Sequence, residues 1–263
     1  TYTIFGHNGF IGSTLKEKLK NNKLILPSRG QTIFRYHLGD IIYCIGSDLW
    51  KKDYYNSYYA NLGYLPEIIK KNKFNSFNFL SSARIYKNSN FGDVNNLLKV
   101  NPADNDDYFN IKKVCAESFL INCNKKIKIL RLGNLYGNNF KAPILLPTLI
   151  RNAINKKLIN ITINKKSLKD YLNVDDATNI IIKIIKSGKK NIYNIASGER
   201  TSLQSIANKI KKITNCRIKY SNQKNLKNEA KIDISQIRKE FKFQPKSYLL
   251  SDIEKLVKDY LNR

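Results

Sequence analysis

At 263 residues, 42% of them hydrophobic, the chain can bury a sizeable core as one large domain or two unequal ones. No apolar run reaches membrane-spanning length: Ile180-Ile181-Ile182 and Ile184-Ile185 are split by Lys183 and closed by Lys186. The formal charge of +27 raises the question of nucleic acid, yet the lysines are scattered among Asn and Ile along the whole length, with no RNA-binding signature. Codon bias in an AT-rich genome accounts for that mixture, so neither a membrane nor a nucleic-acid partner is expected, although the charge would steer an anionic ligand such as a nucleotide diphosphate.

The chain opens on a strand-like run, Tyr2–Phe5, and no secretory signal is expected. Gly6-His7-Asn8-Gly9-Phe10-Ile11-Gly12 follows, and then a predicted helix over Gly12–Lys20, with Ile11, Leu15 and Leu19 on one face. Glycines at three-residue intervals allow a sharp turn, close approach of backbone to a pyrophosphate, and tight packing of helix on strand. The helix N-terminus adds free N–H groups and a positive dipole end, so the segment reads as a dinucleotide site.

The second strand is predicted at Leu24–Pro27. An acidic residue about 20 positions past the glycines normally binds the adenine ribose of NAD. Leu26-Pro27-Ser28-Arg29-Gly30 has none, and Ser28 and Arg29 suit a 2′-phosphate, so NADP is expected over NAD. The stretch from Leu24 to Asp40 is too short for a full crossover helix, which predicts a loop there. Strands at Asp40–Ile45, Phe77–Ser81 and Ile127–Arg131 alternate with helices at Tyr58–Lys71 and Asp106–Asn122. That rhythm predicts an α/β fold with a Rossmann-type, doubly wound parallel sheet.

Beyond Tyr136-Gly137 the pattern loosens, and helices at Leu145–Asn155, Ser202–Thr214 and Leu250–Leu261 predict a smaller cap over the carboxyl edge of the sheet. The expected division is residues 1–138 with 171–196 for the dinucleotide domain, and 139–170 with 197–263 for the cap; Asn222–Asn228 reads as surface loop. Cys44, Cys115, Cys123 and Cys216 lack metal-ligand spacing and are expected to be reduced and mostly buried, as in a cytoplasmic protein; no metal is expected.

Tyr108 and Lys112 stand four apart on the predicted helix, with Ile111, Cys115 and Phe119 as an adjacent packing stripe. A phenol of ordinary pKa about 10 is a poor base, and a neighbouring ammonium lowers it toward the working range. The pair could therefore exchange a proton with an alcohol or ketone while a nicotinamide exchanges the hydride. Phe79-Leu80-Ser81-Ser82-Ala83-Arg84-Ile85-Tyr86 ends a predicted strand, where Ser82 could hydrogen-bond the reacting oxygen.

These motifs, in this order, resemble an extended short-chain dehydrogenase/reductase of the NAD-dependent epimerase/dehydratase family, whose members act mainly on nucleotide sugars. Gly6, Gly9, Phe10, Ile11 and Gly12 fit its cofactor turn. Asn61-Leu62-Gly63 resembles its Asn-x-x-Gly stretch beside the nicotinamide. Ser82, Tyr108 and Lys112 fit the catalytic triad, whose Lys also holds the nicotinamide ribose. Arg131-Leu132-Gly133-Asn134-Leu135-Tyr136-Gly137 resembles R-x-x-N-x-Y-G, whose Asn reaches the nucleotide sugar. Lys169-Asp170-Tyr171 and the residues to Asp176 resemble R-D-Y-x-x-V-x-D, and Tyr193–Gly198 matches the strand and turn after it.

The departures matter too. Ala83 and Arg84 stand where the 4,6-dehydratases carry Asp-Glu, which argues against dehydration. Lys169 replaces an Arg that contacts the diphosphate, and Lys87 replaces a Gly. The resemblance implies a nucleoside diphosphate sugar as substrate and a homodimer through a four-helix bundle. The leading expectation is reduction of a 4-keto group with NAD(P)H, ahead of 4-epimerisation by the same residues. A non-catalytic RNA-binding or redox-sensing protein is the reading from another class.

Overall fold

The computed structural model describes residues 1–46, 53–123, 126–221 and 228–263. β1 (Tyr2–Phe5) runs through the glycine turn into α1 (Phe10–Lys18), and β2 (Leu24–Ile25) returns beside it. β3 (Asp40–Tyr43) follows with no helix in between, so the trimmed crossover is a loop over 26–39. α2 (Tyr54–Tyr58) passes directly into a π-helical turn, Tyr59–Gly63, and then α3 (Leu65–Lys71). The single helix expected over Tyr58–Lys71 is thus broken, with Pro66 in the first turn of α3, where its missing N–H costs nothing. β4 (Ser76–Ser82), a 3-10 turn at Ala83–Tyr86, β5 (Phe91–Gly92), α4 (Asp107–Ile121) and β6 (Ile127–Leu132) complete the first half.

The second half begins with β7 (Asn134–Tyr136), α5 (Leu145–Asn155), β8 (Leu158–Ile161), β9 (Leu168–Asn173), α6 (Val174–Ser187) and β10 (Ile192–Ile195). It ends with β11 (Arg200–Ser202), α7 (Leu203–Thr214), β12 (Arg217–Tyr220), β13 (Lys231–Ile232), α8 (Ser235–Phe241) and α9 (Leu249–Leu261). The central sheet is parallel throughout, in the order β10-β6-β4-β3-β1-β2, with β2 as a two-residue edge. Hydrophobic residues such as Ile4, Ile42, Phe77, Phe79 and Ile129 are fully buried, as expected of a sheet covered on both faces.

The cap has its own core, in which Phe140, Leu149, Ile150, Ile159, Ile206, Ile210 and Ile253 close over β8, β9 and β12. Part of the segment assigned to the cap packs elsewhere. Ala230, Ile232, Ile234 and Ile237 pack with the sheet's core, because β13 pairs with β5 and α8 lies on β10. The expectation of mostly buried thiols fails: all four cysteines are free, but Cys216 alone is buried and Cys115 is exposed. Of the loop read at Asn222–Asn228, residues 222–227 lie outside the described residues, and Asn228 accepts from the Leu168 N–H at 3.0 Å.

Among the described residues no helix is long and apolar enough to cross a membrane, and no cluster of His, Cys, Asp and Glu could hold a metal ion.

Candidate functional site

The glycine turn has the geometry its spacing implies. Gly6 adopts φ +79, and a Cβ there would stand 3.0 Å from the Cys44 carbonyl carbon. A Cβ on Gly12 would come within 2.2 Å of the Gly6 carbonyl oxygen, a distance no side chain survives. Gly9 caps α1 without a side-chain hydrogen bond, and no acidic residue occupies the first turn, so the leading N–H groups remain available to an anion. These features fit the diphosphate of a dinucleotide. Ile11 packs on the sheet's core, while Phe10 lies against Gly137 at the start of the cap. The sequence reading passed over His7: its Nδ1 is buried in this turn with no hydrogen-bond partner among the described residues.

The pair expected to recognise a 2′-phosphate does not form a pocket. β2 stops at Ile25, and Ser28 and Arg29 are both exposed on the loop beyond it. The Ser28 N–H is taken by the Gln31 side chain, and the Arg29 charge acts on Asp53, where it helps to hold the carboxyl below its ordinary range, behind the hydrogen bonds from Asn56.

Helix α4 brings Tyr108 and Lys112 onto one face as the spacing predicts, with the Lys112 ammonium 3.9 Å from the centre of the Tyr108 ring. Their hydrogen bonds point to α2. The Tyr108 hydroxyl donates to the Tyr54 carbonyl at 3.0 Å, the two rings meet edge to face at 5.1 Å, and Lys112 Nζ donates to the buried Ser57 hydroxyl. Ser82 Oγ accepts from the Arg84 N–H at 3.2 Å, closing the turn that follows β4. The expected fall in the tyrosine pKa is not found: burial and then the neighbouring Tyr54 push Tyr108 up. Burial brings Lys112 down to about 8. Asn61 is buried in the π-helical turn, where its amide donates to the Ser57 carbonyl at 2.8 Å and leaves Oδ1 unpartnered.

The packing stripe of α4 also differs from the expected one. Ile111 and Phe119 are half-buried and Cys115 is exposed, whereas Lys112, Lys113, Ala116, Glu117 and Leu120 are buried. Charged residues can line that face because the sheet supplies partners. Glu117 accepts from the Ser81 hydroxyl at 2.5 Å and from two nitrogens of Arg131 at 2.7 and 3.1 Å. Lys113 Nζ donates to the Leu80 carbonyl at 3.0 Å.

On the cap side, Asn134 and Lys169 converge on a residue the sequence reading did not single out. Glu229 accepts from the Asn134 amide at 2.6 Å and from Lys169 Nζ at 2.5 Å, and its backbone carbonyl accepts from Arg200 at 2.9 Å. Asp170 is buried and accepts from the Ser197 N–H, the Ser197 hydroxyl and the Gly198 N–H, which ties β9 to the turn after β10. Burial pushes its carboxyl up, partly offset by those hydrogen bonds. The candidate residues therefore follow the carboxyl edge of the sheet, with the glycine turn at one end and the Asn134–Glu229–Lys169 cluster at the other.

The family described as NAD dependent epimerase/dehydratase matches residues 36–196. No curated protein matches the chain. Among solved structures, MoeE5 in complex with UDP-glucose and NAD superposes with a TM-score of 0.82 at 14% identity, covering 99% of this chain and 98% of that one. The UDP-glucuronic acid 4-epimerase of Bacillus cereus, in complex with UDP-glucuronic acid and NAD, gives 0.78 at 18% identity over 98% and 99%. RMD from Pseudomonas aeruginosa, complexed with NADPH, gives 0.80 at 14% identity over 100% and 99%. The expectation of NADP is overturned: the matching family is NAD dependent, NAD is the cofactor in the first two complexes, and Ser28 and Arg29 build no phosphate site. With its match spanning more than half the chain, this protein belongs to the NAD-dependent epimerase/dehydratase family of enzymes.

Proposed function

We propose that this enzyme uses NAD to act on a nucleoside diphosphate sugar, removing and returning a hydride at one ring carbon, as a 4-epimerase does. The observation that carries the reading is the continuity of one edge. A glycine turn shaped for a diphosphate, the Ser82 hydroxyl at the end of β4, and the Asn134–Glu229–Lys169 cluster under the cap follow one another along it. Bound NAD supplies the hydride acceptor. The chain's part is to hold the diphosphate on the N–H groups of α1, to pass the proton of the reacting hydroxyl through Ser82 to solvent and back as the hydride leaves and returns, and to receive the sugar nucleotide below the cap.

Two features favour epimerisation over its relatives. Ala83 and Arg84 follow Ser82, so the chain lacks adjacent carboxyls there to remove water from the sugar. Net reduction was favoured by the expectation of NADP, and that support has gone. UDP-glucuronic acid and UDP-glucose 4-epimerases are among the structures this fold resembles.

The test is incubation of purified protein with UDP-glucose and UDP-glucuronic acid plus catalytic NAD. Interconversion of 4-epimers without net NADH formation is expected. Stoichiometric oxidation of NADH by a 4-keto sugar nucleotide would instead establish the reductase.

The same reading includes a homodimer formed by the α2–α4 face, which exposes Tyr55, Tyr58, Tyr59 and Ile121. Light scattering at twice the 30.4 kDa chain mass is the expected result.

A further inference from the structure

Two i, i+4 ridges run along α4, one residue apart. Tyr108 and Lys112 form the first, and both of their hydrogen bonds end on α2, at Tyr54 and Ser57. Phe109, Lys113 and Glu117 form the second, and it faces the sheet. Glu117 takes the Ser81 hydroxyl, Lys113 takes the Leu80 carbonyl, and the Arg84 guanidinium lies 5.4 Å from the centre of the Phe109 ring. Leu80 and Ser81 lead directly into Ser82, and the Arg84 N–H donates to Ser82, so these contacts of the ridge fall within two residues of that hydroxyl, while Glu117 is also held by Arg131 on β6.

The position of Lys113 can be fixed further. The register of β3 with β4 ends at the pair Tyr43–Phe79. The next residues are Cys44 and Leu80. Lys113 Nζ donates to the Leu80 carbonyl and stands 4.6 Å from the centre of the Phe79 ring, which places it beside the β3–β4 pairing. The Cys44 carbonyl is the group a Cβ on Gly6 would strike. Lys113 therefore reaches the carboxyl edge between β3 and β4, one backbone contact from the glycine turn. An ammonium has three N–H donors. One is taken by Leu80; the other two have no hydrogen-bond partner among the described residues.

We propose that Lys113, and not Lys112, is the lysine that binds the cofactor, its two remaining donors meeting the vicinal hydroxyls of the ribose on the nicotinamide side. This assignment rests on the NAD reading given above. Tyr108 and Lys112 then serve as the seat for α2, and the helix position one turn before the cofactor lysine is Phe109, which carries no proton to exchange.

Calorimetric titration with NAD and with AMP separates the possibilities, because AMP lacks the second ribose. Lys113→Met is expected to weaken NAD at least tenfold and to change AMP less than twofold, with Lys112→Met leaving both within twofold. Equal loss of NAD and AMP in Lys113→Met would mean a general distortion and overturn the proposal, as would loss confined to Lys112→Met. Where Lys113→Met does not fold, Lys113→Arg decides: it keeps the charge but not the compact reach to a carbonyl and a diol together, so NAD affinity should fall at least threefold with AMP unchanged. Unchanged NAD affinity in Lys113→Arg would then overturn the assignment. Wild-type protein that binds no NAD at all takes down the functional reading and this assignment together; normal binding in wild type and in Lys113→Met takes down the assignment alone.

Discussion

The glycine turn and helix α4 both reach the carboxyl edge of the sheet, yet the sequence reveals the first far better than the second. At Gly6 and Gly12 the backbone conformation and the approach of Cys44 and Gly6 leave no room for a side chain, so residue type and geometry are tied one to one. On α4 no such constraint operates. Tyr108-Phe109 and Lys112-Lys113 are adjacent aromatics and adjacent lysines, so two ridges satisfy the same i, i+4 rule. Spacing alone cannot choose between them. The choice is made by partners far away in sequence: Ser57 for Lys112, Leu80 for Lys113, and Arg131 for Glu117.

The largest effect is expected at the anchor of the sheet-facing ridge. Glu117 and Arg131 are both almost fully buried, and removing one partner of such a pair leaves the other charged and unpaired. Glu117→Gln should cost about 3–5 kcal/mol in urea unfolding, whereas Glu254→Gln, which breaks an exposed pair with Lys258, should be nearly silent. Equal effects would show that the ridge is not held by the sheet. At the other side of the comparison, Gly12→Ala should reduce NAD affinity by at least about 100-fold, on the order of 2.7 kcal/mol, because the methyl group meets the Gly6 carbonyl oxygen. An affinity near wild type in that variant would remove the diphosphate from the turn.

The ridge assignment also predicts opposite outcomes for neighbouring aromatic positions. Tyr108→Phe should leave turnover within about threefold, since its hydroxyl is engaged with the Tyr54 carbonyl. Phe109→Tyr should raise turnover by about tenfold or more, by placing a phenol one turn before Lys113 and beside Arg84. Loss of turnover in Tyr108→Phe would return the working face to the first ridge.

Much of the fold was legible because periodicity reports burial. The strand–helix alternation, the missing crossover after β2 and the helices of the cap all follow from apolar spacing and segment length. What was not legible involves polar residues inside. The stripe read as Ile111-Cys115-Phe119 is displaced by Lys112, Lys113 and Glu117, charged residues that no hydrophobic pattern marks as buried. Glu229 escaped notice for a related reason: it is an ordinary acidic residue in sequence, and only folding brings it to Asn134 and Lys169.

The buried lysines add a pH dependence of known sign. Burial brings Lys113 down to about 8, below the roughly 10.4 of an unfolded lysine. Below pH 8 the residue is charged in both states, and folding bears the full cost of burying the charge. Between about 8 and 10 the folded protein releases the proton while the unfolded chain keeps it, so stability rises with pH. Thermal unfolding from pH 7 to 9.5 should therefore rise more for wild type than for Lys113→Met. Parallel curves would mean that Lys113 is not buried as a charge.

The smallest effect is expected at Arg29, where composition misled most directly. In a protein with 47 lysines and arginines, a cation after the second strand carries little information by chance alone, and Arg29 is exposed. Its charge acts on the half-buried Asp53 across solvent, so the interaction is screened and weak. Arg29→Ala should leave NAD affinity within about twofold and should not alter the ratio of NAD to NADP affinity. A fall in NADP affinity alone would give Arg29 the phosphate-binding role that its exposed position argues against, and would make the loop after β2 part of the site rather than its border.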